Sequence, residues 1–319
     1  MAVDGIIGHT GFVGSNLARQ HNFAAKFNSR NIDESAGTDF DTLVCAAAPG
    51  SMFEANTLPD RDKAQIDALC QRIAAIKAKR FVLISTIAVL ADFAGQDDEA
   101  TTAFQEVTAY GRHRRALEAF CSAHFDDCLI LRLPALFGAG LKKNFLFDLL
   151  NPVPSMLTAA KMDAALVCVA HKEADVLRQV YHLNNENGMF VLDRAALRSS
   201  GVQAQIETAW GANELTAVQF THPETTFQFY GVDRLWRDIE TAWAHDIGVL
   251  HLATEPLPAS EVHQIVTGHP MPSTGARLHN EDMRSLHTAK WGRVGPYLED
   301  ASQISSRVAA FLQQQRSLA

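Results

Sequence analysis

A turn carrying three glycines, set between an apolar run and a helix-like run, constrains this chain more than any other feature. Val3-Asp4-Gly5-Ile6-Ile7 reads as a short strand, Gly8-His9-Thr10-Gly11-Phe12-Val13-Gly14 as the turn, and Phe12 to Arg19 as the helix it opens. Glycine allows a tight turn and a close approach of backbone to ligand, and the first N–H groups of a helix carry partial positive charge. Together they suit a diphosphate, so the segment predicts a dinucleotide site built from Gly8, Thr10, Gly11, Phe12, Val13 and Gly14. A chain with 19 glycines in 319 residues can reach this spacing by chance. A tight turn without a ligand is the competing reading, and the strand before and helix after the turn weigh against it.

The pattern around the turn extends it into a fold. Further strand-like runs lie at residues 24–28, 43–47, 81–85 and 129–133. Helical periodicity marks residues 61–78, where Ile66, Leu69, Cys70, Ile73 and Ile76 share a face, and residues 105–124. Strands alternating with helices predict an α/β fold, a doubly wound parallel sheet of the Rossmann kind. The polar link from Ser29 to Asp41 is too short to promise a full crossover helix. After Leu133 the alternation loosens, then returns with an amphipathic helix at 232–244 and a strand at 249–253. The expected division is a dinucleotide-binding domain of residues 1–150, completed by 226–254, with a smaller substrate lobe from 151–225 and 255–319. Trp236 and Trp243, on the apolar stripe of the 232–244 helix, are expected in the core.

Composition removes several classes of function. With 47% apolar and 20% charged residues the chain is an ordinary folded one. A net charge of −8 lacks the basic footprint of a nucleic-acid or anionic-membrane binder. No run approaches the ~18 apolar residues that span a bilayer, and the N-terminus enters a strand with no basic region before it, unlike a signal peptide. Five cysteines without C-x-x-C spacing suit core residues in a reducing cytosol, so the expected location is cytoplasmic. The 13 histidines offer no convincing metal-ligand spacing, and no metal is expected.

Four more segments follow the glycine turn in a recognisable order: Cys45-Ala46-Ala47-Ala48, Leu83-Ile84-Ser85-Thr86-Ile87-Ala88-Val89, Tyr110-Gly111-Arg112-His113-Arg114 and Leu131-Arg132-Leu133-Pro134-Ala135-Leu136-Phe137-Gly138. With the turn they resemble the extended short-chain dehydrogenase/reductase family of nucleotide-sugar epimerases, dehydratases and reductases. The resemblance covers most of residues 1–144 and is looser beyond, through Phe229-Tyr230-Gly231-Val232-Asp233 and the strand–turn–helix around Leu250–Val266. It implies that Ala46, Ala47 and Ala48 lie under the cofactor, that Ser85, Leu133 and Pro134 border it, and that Thr86 and Tyr110 are catalytic. Thr86 would polarise the substrate oxygen where hydride leaves or arrives, and Tyr110 would be the acid/base. A phenol, which titrates near ~10 when unperturbed, needs nearby positive charge for that work.

Two departures qualify the resemblance. Arg114, the third expected catalytic residue, in support of Tyr110 and the ribose, stands where the family's Y-x-x-x-K has lysine; it keeps the charge, but its planar fork cannot simply take an ammonium's place. Ile87-Ala88 follow Thr86 where the 4,6-dehydratases carry Asp-Glu, so that elimination chemistry is disfavoured. At the end of the second strand the run is Phe27-Asn28-Ser29-Arg30, similar to the arginine-containing ending of the family's NADPH-using fucose-type synthases. An Asp or Glu there would favour NAD, so NADP is preferred over NAD, with Asn28, Ser29 and Arg30 at the ribose phosphate. Lys142, Lys143 and Asn144 follow a glycine turn and suit either a substrate diphosphate or a solvated helix entry. The leading expectation is therefore an NAD(P)-dependent epimerase or oxidoreductase acting on a nucleotide-linked sugar. Its rivals are a non-catalytic dinucleotide-binding sensor or scaffold of the same fold and a reductase of a non-sugar carbonyl. The substrate is expected to be a small molecule, and a homodimer is compatible with this reading.

Overall fold

The computed structural model describes residues 3–318. Six strands, β1 (Asp4–Ile7), β2 (Ala25–Phe27), β3 (Asp39–Cys45), β4 (Lys77–Thr86), β5 (Cys128–Leu133) and β6 (Val249–His251), form one sheet in the order β6-β5-β4-β3-β1-β2. Every neighbouring pair runs parallel. The helices that matter to the sheet are α1 (Phe12–Gln20), α2 (Met52–Thr57), α3 (Pro59–Ile73), α4 (Ala109–His124), α5 (Leu235–Trp243) and α6 (Ala301–Leu318).

Successive residues of a strand point to opposite faces, and both faces of a parallel sheet must be covered. Ile6, Val44, Val82, Leu129 and Leu131 meet Leu17 of α1 and Leu235 and Ile239 of α5 on one face. Ile7, Leu43, Cys45, Phe81, Leu83 and Ile130 meet Ile66, Leu69 and Ile73 of α3 and Leu117 and Cys121 of α4 on the other. This is the doubly wound α/β arrangement that the strand–helix alternation predicts. Trp236 and Trp243 of α5 both pack on the first face.

The element ends differ from the periodicity in instructive ways. The apolar stripe suggests a helix to Ala78, yet α3 stops at Ile73, because Lys77 and Ala78 pair with Asp39 and Phe40 and begin β4. The helix expected from Gln105 starts at Ala109: the Gln105 side chain accepts from the Val107 and Thr108 N–H groups and holds that segment as a turn. Between β2 and β3 stands only a short 3-10 turn, Ile32–Ser35, and among the described residues no strand lies beyond β2 in this sheet. The order reverses between β1 and β3, and the carboxyl ends of those strands are where open parallel sheets form ligand crevices.

The chain divides into two compact units. One runs to Leu141 and takes in Thr226–Leu257 and Asn280–Phe311; the other holds Lys142–Thr225, Pro258–His279 and the residues from Leu312 on. Residues 280–311, expected in the lobe, thus group with the sheet, and residues 142–150 group away from it. The second unit has its own core around Leu177, Leu197, Ile206 and Trp210, and a small antiparallel sheet of Met156–Leu157, Met189–Leu192 and Tyr181–Asn184.

Candidate functional site

The glycine turn leaves β1 at its carboxyl end, and each glycine answers a different demand. Gly8 adopts φ +90°, and a Cβ there would come within 2.4 Å of the Ala46 carbonyl oxygen. A Cβ on Gly14 would lie 2.2 Å from the Gly8 carbonyl oxygen, so only glycine lets α1 pack this closely on the turn. Gly11 is exposed, and a Cβ on it would meet nothing nearer than the Gly8 carbonyl oxygen at 3.3 Å. No side chain caps α1, and its first turn carries no acidic residue. An open backbone approach, an uncapped helix N-terminus and the adjacent exposed Thr10 are what a diphosphate requires, and the residues present fit one. Phe12 and Val13 sit half-buried behind the turn. His9 turns away: its Nδ1 donates to the Phe27 carbonyl at 2.9 Å and ties the turn to β2.

Beside the turn, Ala46, Ala47 and Ala48 continue from β3 and are half-buried, with the Ala46 N–H donating to the Ile7 carbonyl. At the end of β2, the Asn28 side chain accepts from the Arg30 N–H and shapes the loop. Ser29 and Arg30 are exposed there, whereas Asp33, the nearest carboxylate, pairs with Arg72. Leu133 and Pro134 are both buried after β5. Lys142, Lys143 and Asn144 belong to the second unit. Asn144 accepts from the Leu146 and Phe147 N–H groups and caps the helix Phe145–Leu150, while both lysines are exposed.

Thr86 ends β4 and Tyr110 lies in the first turn of α4, and the Thr86 hydroxyl acts on the Tyr110 phenol. The Thr86 Oγ1 also accepts from the Ala88 N–H at 3.2 Å. Tyr110 is brought close by Gly111, where a Cβ would lie 2.1 Å from the Ala88 carbonyl oxygen. Arg114, one turn along α4, lays its guanidinium 4.0 Å from the centre of the Tyr110 ring. Burial pushes the Tyr110 phenol above its ordinary value, and the Arg114 charge and the Thr86 hydroxyl oppose that push.

Arg114 itself is only 2% exposed. It donates to the carboxylate of Asp62 on α3 and to the Pro49 carbonyl. Asp62 also accepts from His113 Nδ1 at 2.7 Å. The arginine is therefore built into the wall of the site, held by acceptors that a lysine's compact ammonium could not span in the same way. Nothing in the sequence distinguishes Asp62 from the other acidic residues of α3's first turn, and it is missing from the expected site.

Ser85 faces away from this pair. Its hydroxyl donates to Glu118 at 2.6 Å, and Glu118, fully buried, also receives two bonds from Arg132 and one from Arg115. Arg132 in turn donates to His251 Nε2 at 3.0 Å, so the His251 Nδ1 carries the proton and donates to the Arg284 carbonyl. Burial, with Arg132 alongside, holds the His251 imidazole below its ordinary value. This network ties Ser85 of β4, Arg132 of β5 and His251 of β6 to Glu118 of α4. Sequence reasoning missed it, although Arg115 and Glu118 at i and i+3 were a usable signal. No group of three or more His, Cys, Asp or Glu side chains among the described residues could hold a metal ion, and the five cysteines are unpaired.

Known proteins share the fold. The profile of the NAD dependent epimerase/dehydratase family matches residues 5–179. Solved structures with the same fold include MoeE5 in complex with UDP-glucuronic acid and NAD, at 13% identity and a TM-score of 0.62 over all of both chains. A UDP-N-acetylglucosamine 4-epimerase from Methanobrevibacter ruminantium M1, in complex with UDP-N-acetylmuramic acid, aligns at 12% identity and a TM-score of 0.62, covering 100% of this chain and 99% of that one. RMD from Pseudomonas aeruginosa, complexed with NADPH, aligns at 15% identity and a TM-score of 0.62 over all of both chains. No curated protein matches the chain.

Proposed function

The chain belongs to the NAD dependent epimerase/dehydratase family, and on that premise we propose that it is an NAD(P)-dependent oxidoreductase or epimerase acting on a nucleotide-linked sugar. The observation that carries the reading is the hydroxyl pair Thr86 and Tyr110, seated on the same carboxyl edge of the sheet as the open glycine turn. The dinucleotide, when bound, accepts and returns hydride. The protein's own part is the proton and the oxygen. Thr86 Oγ1 donates to the sugar oxygen that changes between hydroxyl and carbonyl, and Tyr110 Oη takes or gives the proton on it. Gly8, Thr10, Gly11, Phe12, Val13 and Gly14 would hold the diphosphate, with Ala46, Ala47 and Ala48 beneath. Exposed Arg30, with Asn28 and Ser29, would receive a 2′-phosphate, which favours NADP over NAD. The neighbours' bound ligands, UDP-glucuronic acid with NAD and NADPH alone, support the cofactor and substrate class. Lys142 and Lys143 are the proposed contacts for the substrate's own diphosphate; Asn144 would support them as the helix cap. The test is Tyr110→Phe. NADPH affinity should stay near wild type while turnover on a nucleotide-sugar panel disappears, and undiminished turnover would sink the assignment.

A second reading, a non-catalytic dinucleotide-binding protein, is favoured by one observation: Arg114 is committed to Asp62 and Pro49 rather than free to reach a ribose. Stabilisation by NADPH without turnover on any member of the panel would select it.

A further inference from the structure

The family reading explains why a cation stands near Tyr110; it does not explain why that cation is neutralised. We propose that Asp62 is a positioning residue for Tyr110, a buried counter-charge that limits how much of the Arg114 charge the phenol experiences. Asp62 is 4% exposed, lies on a different helix from the arginine it holds, and bonds Arg114 and His113 through the same carboxylate oxygen. Arg114 keeps other acceptors as well, the Pro49 carbonyl and, at 3.5 Å, the Tyr110 carbonyl. Its Nε is buried without a hydrogen-bond partner among the described residues. The guanidinium thus stays over the Tyr110 ring even when the carboxylate charge is removed, so position and charge are separable by mutation.

The neighbourhood contains few other charges that could do the same work. From α4 come Arg114 and His113, from α3 Asp62 and the exposed Arg61, from α2 the exposed Glu54, and from β4 only the neutral Thr86. Asp62 is the buried carboxylate among them, and its charge acts on the phenol in the opposite sense to Arg114. A phenol flanked by a compensated arginine grips its proton more firmly than one flanked by a bare cation. Pro49, Glu54, Arg61 and Asp62 also line a small cleft.

This inference rests on Tyr110 being the acid/base, but its test does not. The chain has four tyrosines, so tyrosine labelled with carbon-13 at Cζ gives four signals, and Tyr110→Phe identifies the one of interest. In Asp62→Asn, which keeps an acceptor for Arg114 and removes the charge, the Tyr110 signal should titrate at lower pH than in wild type. In Arg114→Gln it should titrate at higher pH. The signals of Tyr181, Tyr230 and Tyr297 report whether either variant has lost its fold, and Asp62→Ser provides a second charge-free variant if Asp62→Asn has. A Tyr110 titration that is unmoved, or that moves the same way in the Asp62 and Arg114 variants, would overturn the proposal. Undiminished turnover in Tyr110→Phe would instead overturn the functional reading and leave the charge relationship standing.

Discussion

Gly111 shows how tightly single residues are specified at this site. A methyl group there would drive into the Ala88 backbone, with its carbonyl oxygen only 2.1 Å away. Backbone cannot rotate aside as a long side chain can, so Gly111→Ala should cost about 1–3 kcal/mol of stability, read as a lowered urea midpoint at unchanged slope. It should also pull Tyr110 from Thr86 and reduce turnover more than its stability loss predicts. Tyr110 and Thr86 were legible in the sequence, because each lies in a run whose order along the chain carries information. Asp62 was not. A charge near the start of an amphipathic helix reads as a solvated one, and only the packing of α3 against α4 reveals that this carboxylate is buried beneath an arginine.

Among elements, the junction of β4, β5, β6 and α4 is held by charge as well as by apolar packing. Glu118 and Arg132 are both essentially inaccessible, and breaking one side of such a pair leaves an uncompensated buried ion. Arg132→Met should therefore lower unfolding free energy by about 3–5 kcal/mol, while Arg132→Met with Glu118→Met should recover much of it. A double-variant loss equal to the sum of the two single-variant losses would show that the pair is not coupled. The helix Phe145–Leu150 carries a different liability. Burial pushes the Asp148 carboxyl up to about 7, with Arg194 partly opposing. The stability contributed by its neutral form is full below the ordinary carboxyl range and is lost as pH rises through about 7. Asp148→Asn stays neutral throughout, so it should match wild type near pH 4 and exceed its urea midpoint at pH 8. Element existence was readable from periodicity here, but element ends were not. Strand pairing shortened α3, and a side-chain-held turn delayed α4.

For the whole molecule, the cleanest measurement is ligand-linked stability. A dinucleotide that binds only the folded chain raises unfolding free energy by ~2.7 kcal/mol at a hundredfold excess over Kd. NADPH should raise Tm more than NADH does, and Arg30→Ala should remove that difference without removing the NADH effect; a silent response to both would undermine the cofactor site. The alternation of strands and helices foretold the sheet, since both depend on local pattern. The division of the chain depends on which distant segments pack together, and local pattern is blind to that. Residues 280–300 have little periodicity, yet they join the first unit. The missing strand beyond β2 has one more consequence. β2 is an outer edge, and unpaired edges invite other chains to add to the sheet. This one is three residues long, presents exposed Lys26, and has the Asn31 side-chain amide already donating to the Lys26 carbonyl. Such a border offers little free backbone to an incoming strand.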